Sequence, residues 1–220
     1  MPSPRLTRRE PSGPTRGIVL MLHGGAKEGR KPVGGRSASL WRTTAMRDAL
    51  EARLLEQHLS LWLLRFSVRG WNAGTASEPS PVPDARWALN RAGEEHPGVP
   101  VVLLGHSMGA RTAVHVADHP GVIGVVALAP WLEASDPVRQ LAGRHLVAGH
   151  GSRDRVTSAS MTKAYVDQAR GVAASAEFAD MGRVGHYMLH RSEAWNRFAL
   201  RSTLQIFDHA PKECPSVEDR

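Results

Sequence analysis

The amino-acid sequence predicts an α/β protein: a mostly parallel central sheet of about six to seven strands with helices on both faces. Three observations predict it. Short apolar runs recur along the chain, they do not alternate with polar residues, and segments of helical spacing lie between them. Strands buried on both faces read as continuous, β-branched-rich runs because neither side meets water. Strands alternating with helices then favour parallel pairing, since a helix returns the chain to the start of the next strand. At 220 residues, 41% of them hydrophobic, the chain is long enough to bury one full core.

The elements follow in order. Residues 1–16 hold four prolines and no apolar run, so they form an N-terminal extension or one short edge strand. Residues 17–206 form a single domain, with strands expected at Ile18–Leu22, Leu61–Phe66, Val101–Leu104, Val122–Leu128 and Leu146–Ala148, and a weaker one at Ala174–Phe178. Met46, Ala49, Leu50 and Leu54 mark one helical stripe between strands; Ala110, Ala113, Val114 and Ala117 mark another. Residues 72–84, with three prolines, are expected as a surface loop. Ser192–Ile206 reads as a closing helix, and residues 207–220 as a polar C-terminal tail.

Composition excludes several classes. The formal charge is +7, from 28 basic and 21 acidic residues, and only Lys27, Lys31, Lys163 and Lys212 are lysines. The arginines are scattered, and 5% aromatic residues provide no stacking platform, so nucleic acid is not an expected partner. No apolar run reaches the roughly 18 residues of a membrane span. No apolar stretch follows the N-terminal charges as a leader requires, so a cytoplasmic protein without a membrane partner is expected. The lone Cys214 excludes an internal disulfide and a multi-thiolate metal site.

In parallel sheets ligands bind beyond the carboxyl ends of the strands. After Val101–Leu104 comes Gly105-His106-Ser107-Met108-Gly109 and then a helix. A serine nucleophile must stand clear of the sheet on a tight strand-to-helix turn, with small neighbours and a backbone N–H behind it for an oxyanion. His23-Gly24-Gly25 follows the first long strand and offers a second unhindered N–H. His150-Gly151-Ser152-Arg153-Asp154 follows the Leu146 strand, and Gly185-His186 lies beyond the last one. The chain order Ser107, Asp154, His186 is that of one serine-hydrolase architecture.

With these motifs in register, the chain resembles the α/β-hydrolase superfamily over residues 17–206. It is nearest to small, lid-less dienelactone-hydrolase-like and carboxylesterase-like members, although those dienelactone hydrolases carry cysteine where this chain has serine. The resemblance implies Ser107 as nucleophile, His186 as general base, Asp154 as its orienting acid, and the N–H groups of Gly25 and Met108 as oxyanion hole, with Ala26 an alternative to Gly25. It implies cleavage of a small carboxylic ester or thioester through an acyl-serine, with no metal or organic cofactor. An acyltransferase using the same triad, or a ligand-binding module without catalysis, stands as the alternative. One or two of the family's initial strands are expected to be absent. About sixteen residues separate the Val122 and Leu146 strands, too few for a cap domain, so an open pocket is expected.

Rival residues are His150, His190, Glu133 and Asp136. Trp71 and Trp131 follow strand ends and are expected to border the pocket, and Arg69 is expected to contact substrate. Arg69, Arg153, Arg155 and Arg183 fall near the same edge; two of them pointing inward would select anionic substrates.

Overall fold

The computed structural model describes residues 2–35, 37–74 and 78–209. Seven strands form one sheet: β1 (Arg5–Arg9), β2 (Gly17–Leu22), β3 (Leu59–Arg65), β4 (Val101–His106), β5 (Val122–Leu128), β6 (His145–His150) and β7 (Ser175–Asp180). Their spatial order is β1-β3-β2-β4-β5-β6-β7, with β1 antiparallel to β3 and all other pairs parallel. The helices are α1 (Ala38–Glu56), α2 (Pro81–Glu95), α3 (Met108–His115), α4 (Ala159–Ala169) and α5 (Ser192–Asp208), plus a short 3₁₀ turn at Arg139–Leu141. Each expected strand is present. The N-terminal segment supplies the edge strand β1, whose arginines leave it mostly exposed.

Side-chain alternation along the strands divides the core into two layers. Ile18, Leu20 and Leu22 face α2, α3 and α4, whereas Val19 and Met21 face α1 and α5. From β2 the chain steps one way to β3, and from β4 it steps the other way to β5. Right-handed crossovers in opposite directions place α1 and α3 on opposite faces, and the strand ends part between β2 and β4. There Leu22 pairs with Gly105, which sets His23-Gly24-Gly25 beside His106-Ser107.

Three expectations need correction. Residues 72–84 are not all loop: Pro81 opens α2, where its fixed φ and missing N–H cost nothing. Residues 75–77 of that segment lie outside the described residues. Ala49 is exposed; the inner stripe of α1 runs Arg42, Met46, Leu50, Leu54 at four-residue spacing. The closing helix continues through Asp208, and residues 210–220 of the tail, with Cys214, lie outside the described residues. The β5–β6 connection holds only the 3₁₀ turn, so no cap domain is present among the described residues. None of the described helices is long and apolar enough to cross a membrane.

Candidate active site

Ser107 occupies the turn between β4 and α3 with φ 54° and ψ −116°, a backbone region that a side-chain-bearing residue enters only at a cost. The two glycines of its motif are required by close approach. A Cβ at Gly105 would meet the Ala110 backbone at 2.5 Å, and one at Gly109 would fall on the Leu22 carbonyl oxygen. The turn is anchored by Ser107 N–H donating to the Leu128 carbonyl at 3.1 Å and by Trp131 N–H donating to the Ser107 carbonyl at 3.3 Å.

His186, in the loop between β7 and α5, places Nε2 3.0 Å from Ser107 Oγ and Nδ1 2.7 Å from Asp154 Oδ2. Asp154 follows β6, and its side chain is 1% exposed. It accepts hydrogen bonds from the backbone N–H of Val156 (2.7 Å) and Thr157 (2.9 Å), and from Thr157 Oγ1 (3.0 Å). Burial pushes the Asp154 carboxyl up, but the hydrogen bonds from His150, His186, Thr157 and Val156 outweigh it and hold the group well below the usual carboxylate range. Asp154 is therefore ionised and fixed, which keeps the His186 proton on Nδ1 and leaves Nε2 free to accept from the Ser107 hydroxyl.

The structure thus brings Ser107, His186 and Asp154 together as the sequence order predicts. The rivals lie elsewhere. Asp136 and Glu133 bind Arg111, at 2.9 and 2.8 Å, and His190 is exposed. His150 is fully buried with Nε2 3.2 Å from Asp154 Oδ2, the same oxygen that meets His186, and Nδ1 2.8 Å from Thr162 Oγ1, so it steadies the acid as a second imidazole contact. That contact is not evident from spacing alone.

Of the two residues expected to supply oxyanion donors, Met108 follows Ser107 in the chain and Gly25 shares the lining of the Ser107 cavity. Met108 opens α3, where the first N–H groups have no intrahelical acceptor. A Cβ at Gly25 would strike the Met108 side chain, which places the two residues side by side. Ala26 N–H, the alternative to that of Gly25, is already committed to the Arg69 carbonyl at 2.9 Å. The loop is shaped by His23. Phe66 N–H donates to its Nε2 at 3.2 Å, so its proton sits on Nδ1 and reaches the Gly24 carbonyl at 2.6 Å. Burial, with a smaller push from Arg65, lowers the His23 pKa to about 4, so the imidazole is neutral.

A cavity of about 160 Å³ adjoins Ser107, lined by Gly24, Gly25, Ser39, Arg42, His106 and His186 among others. Trp41, Tyr187 and Leu189 form its rim, each more than 60% exposed. A wider groove between β7 and α5 contains none of these residues. Among the described residues no cluster of three or more His, Cys, Asp or Glu is placed to hold a metal ion.

The aromatic and arginine expectations are corrected. Trp71 and Trp131 do not line this cavity: both rings pack on the Arg111 guanidinium, 4.5 Å from its carbon, on the α3 face of the sheet. A position after a strand end fixes the edge of the sheet, not the face toward which the side chain turns. Arg69 lines a neighbouring cavity beside Gly25 and Ser39, is exposed, and directs Nε to the Pro32 carbonyl at 3.3 Å. Arg153, Arg155 and Arg183 are exposed as well. The arginine that does enter the site is Arg42, whose signal in the sequence is its place on the apolar stripe of α1.

The fold is that of the α/β hydrolases. A family model described as serine aminopeptidase, S33, matches residues 74–149, a stretch that contains the serine turn but neither His23–Gly25, Asp154 nor His186. The structure is similar to an α/β serine hydrolase homologue from Coxiella burnetii (TM-score 0.67, 18% identity, covering 90% of this chain and 91% of that one). It is similar to an α/β serine hydrolase without a lid from Xanthomonas campestris (TM-score 0.67, 16% identity, 96% and 91%). It is also similar to Thermogutta terrifontis esterase 2, phosphonylated by cyclosarin (TM-score 0.71, 13% identity, 95% and 91%). No curated protein matches the sequence.

Proposed function

We propose that this chain is a serine hydrolase that cleaves a small carboxylic ester, or a thioester, through an acyl-serine intermediate. The observation that carries the reading is the continuous relay from Ser107 Oγ through His186 to Asp154, on a serine held at positive φ. Ser107 Oγ attacks the carbonyl carbon as His186 Nε2 takes its proton. The tetrahedral oxyanion lies against the N–H groups of Gly25 and Met108, donors worth about 10²–10³ in rate each. Collapse expels the alcohol, which receives the proton from His186; water then repeats the sequence on the acyl-serine. The steps as written balance without a cofactor.

The name of the matching family raises peptide N-termini as substrates, and the cavity argues for esters instead. An α-ammonium group needs a carboxylate partner, and the described lining residues include none while Arg42 is cationic. The cavity is also smaller than the roughly 300–1,000 Å³ of most ligand pockets. Short acyl groups are expected to react best.

A p-nitrophenyl ester series from acetate to dodecanoate tests the reading. Turnover is expected to peak among the short chains, without a jump above the substrate's micelle concentration, and to vanish in Ser107→Ala. Retention of ester turnover by Ser107→Ala, measured on the same series, contradicts it.

A further inference from the structure

Three arginines of the described residues are buried: Arg42, Arg47 and Arg111. Arg47 pairs with Asp48 at 2.7 Å, and Arg111 with Asp136 and Glu133. Arg42, 6% exposed, has no such partner. Its Nη2 makes one long hydrogen bond to the Met188 carbonyl, at 3.4 Å; its Nε has none; and among the described residues no carboxylate reaches it. A guanidinium taken from water without a counter-charge is costly, and proteins keep such groups chiefly where an anion arrives to meet them.

Arg42 lines the Ser107 cavity. His106 shares that lining and brings no negative charge. Its Nε2–H donates to the His186 carbonyl at 3.1 Å, and its Nδ1 is buried without a partner. Burial above all depresses its pKa to about 3, with the neighbouring Arg42 adding to the effect. Beside Ser107 and His186, the remaining lining is glycine, small side chains and the rim of Trp41, Tyr187 and Leu189, with no carboxylate among the described residues. The site therefore presents one desolvated, planar cation beside a nucleophile, in a cavity too small to separate them by a long arm.

We propose that Arg42 binds a carboxylate of the substrate, so that the preferred substrates are half-esters of short dicarboxylic acids, with the free carboxylate on the guanidinium and the ester carbonyl at Ser107. This rests on the hydrolase reading above and names its substrate class. The planar guanidinium matches a carboxylate through parallel N–H donors. Binding supplies a counter-charge that Arg42 lacks among the described residues, and the attraction is stronger at a buried guanidinium than in bulk water.

The test compares monomethyl glutarate with methyl pentanoate, two esters of similar length, by methanol release from the full-length protein at low ionic strength. The half-ester is expected to show a kcat/KM at least tenfold higher, mainly through KM. That ratio is expected to fall to one or below in Arg42→Met and in Arg42→Gln, and to persist in Arg53→Met, which removes an exposed charge from the same helix. A wild-type ratio at or below one, or a tenfold ratio that survives loss of Arg42, overturns the proposal while the hydrolase reading stands. If Ser107 takes a fluorophosphonate but neither ester is cut, protection of Ser107 from labelling is read instead. Protection by glutarate and not pentanoate, lost without Arg42, upholds the proposal; equal protection overturns it. Absence of both turnover and Ser107 labelling overturns the hydrolase reading, and this one with it.

Discussion

Two regions flank the Ser107 turn, one on each face of the sheet, and each is built on a buried arginine. On the α3 face, Arg111 lies between Trp71 and Trp131 and binds Asp136 and Glu133, while Asp136 also meets His115 at 3.0 Å and the Glu133 N–H at 2.8 Å. Arg111, Asp136 and Glu133 each have a charged partner within the chain. On the α1 face, Arg42 and His106 hold polar nitrogens with no partner among the described residues. A saturated cluster locks the turn from β5 onto α3; an unsaturated one has capacity left for a ligand. That is the difference expected between groups that hold the fold and groups that meet a substrate, although the two arginines are nearly equally buried.

Substitutions on the two sides should separate accordingly. The largest effect is expected at Asp154. Asp154→Asn keeps the shape but removes the charge that fixes the His186 tautomer, and kcat is expected to fall by about 10³–10⁴, with the circular dichroism spectrum unchanged. A nearly silent Asp154→Asn, set beside a damaging Asp136→Asn, would move the functional acid to the saturated side and erase the contrast.

Next in size is Arg111→Met. It leaves Asp136, with its side chain 2% exposed, short of its main counter-charge, and is expected to cost roughly 3 kcal/mol in denaturant unfolding. kcat/KM per folded molecule is expected to stay within about twofold, since Arg111 lines no part of the Ser107 cavity. A large loss of kcat/KM without loss of stability would show that the α3 face takes part in the chemistry.

The smallest effect concerns pH. His23 and His106 are held neutral, with pKa values near 4 and 3, while the unfolded chain titrates them near 6.5. Between those limits the unfolded state binds more protons, so stability is greatest above pH 6.5 and declines as the pH falls toward 4. At pH 5 each histidine is expected to cost roughly 2 kcal/mol relative to pH 8, read from urea midpoints. His23→Gln keeps a donor and an acceptor but does not titrate, and is expected to flatten that slope; an unchanged slope would mean that His23 is protonated in the fold.

Much of this was legible before the structure. The apolar runs placed the strands, because burial on both faces imposes one pattern and few alternatives. The motifs around Ser107, Asp154 and His186 placed the relay, because the demands of a strained turn and of an acid ending a strand are local. Arg42 was not legible: a helical arginine on an apolar stripe most often snorkels outward, and only packing shows that this one does not. Trp71 and Trp131 were located to the correct edge but the wrong face, since that depends on where Arg111 projects. In the sequence Pro81 reads as a loop residue, because three prolines in a short stretch resemble a loop more than a helix start. In the sequence His150 rivals His186, whereas its contact with Asp154 needs the turn after β6 to bring a residue four positions away back onto it.

The account stands or falls on Ser107 as the nucleophile. Treatment with a fluorophosphonate, followed by peptide mapping, reads this directly, and a structural neighbour is itself known in phosphonylated form. The predicted result is a single adduct on Ser107, absent from Ser107→Ala and strongly slowed in His186→Ala. An adduct on any other serine, or none on wild-type protein that is folded and monodisperse, would contradict it.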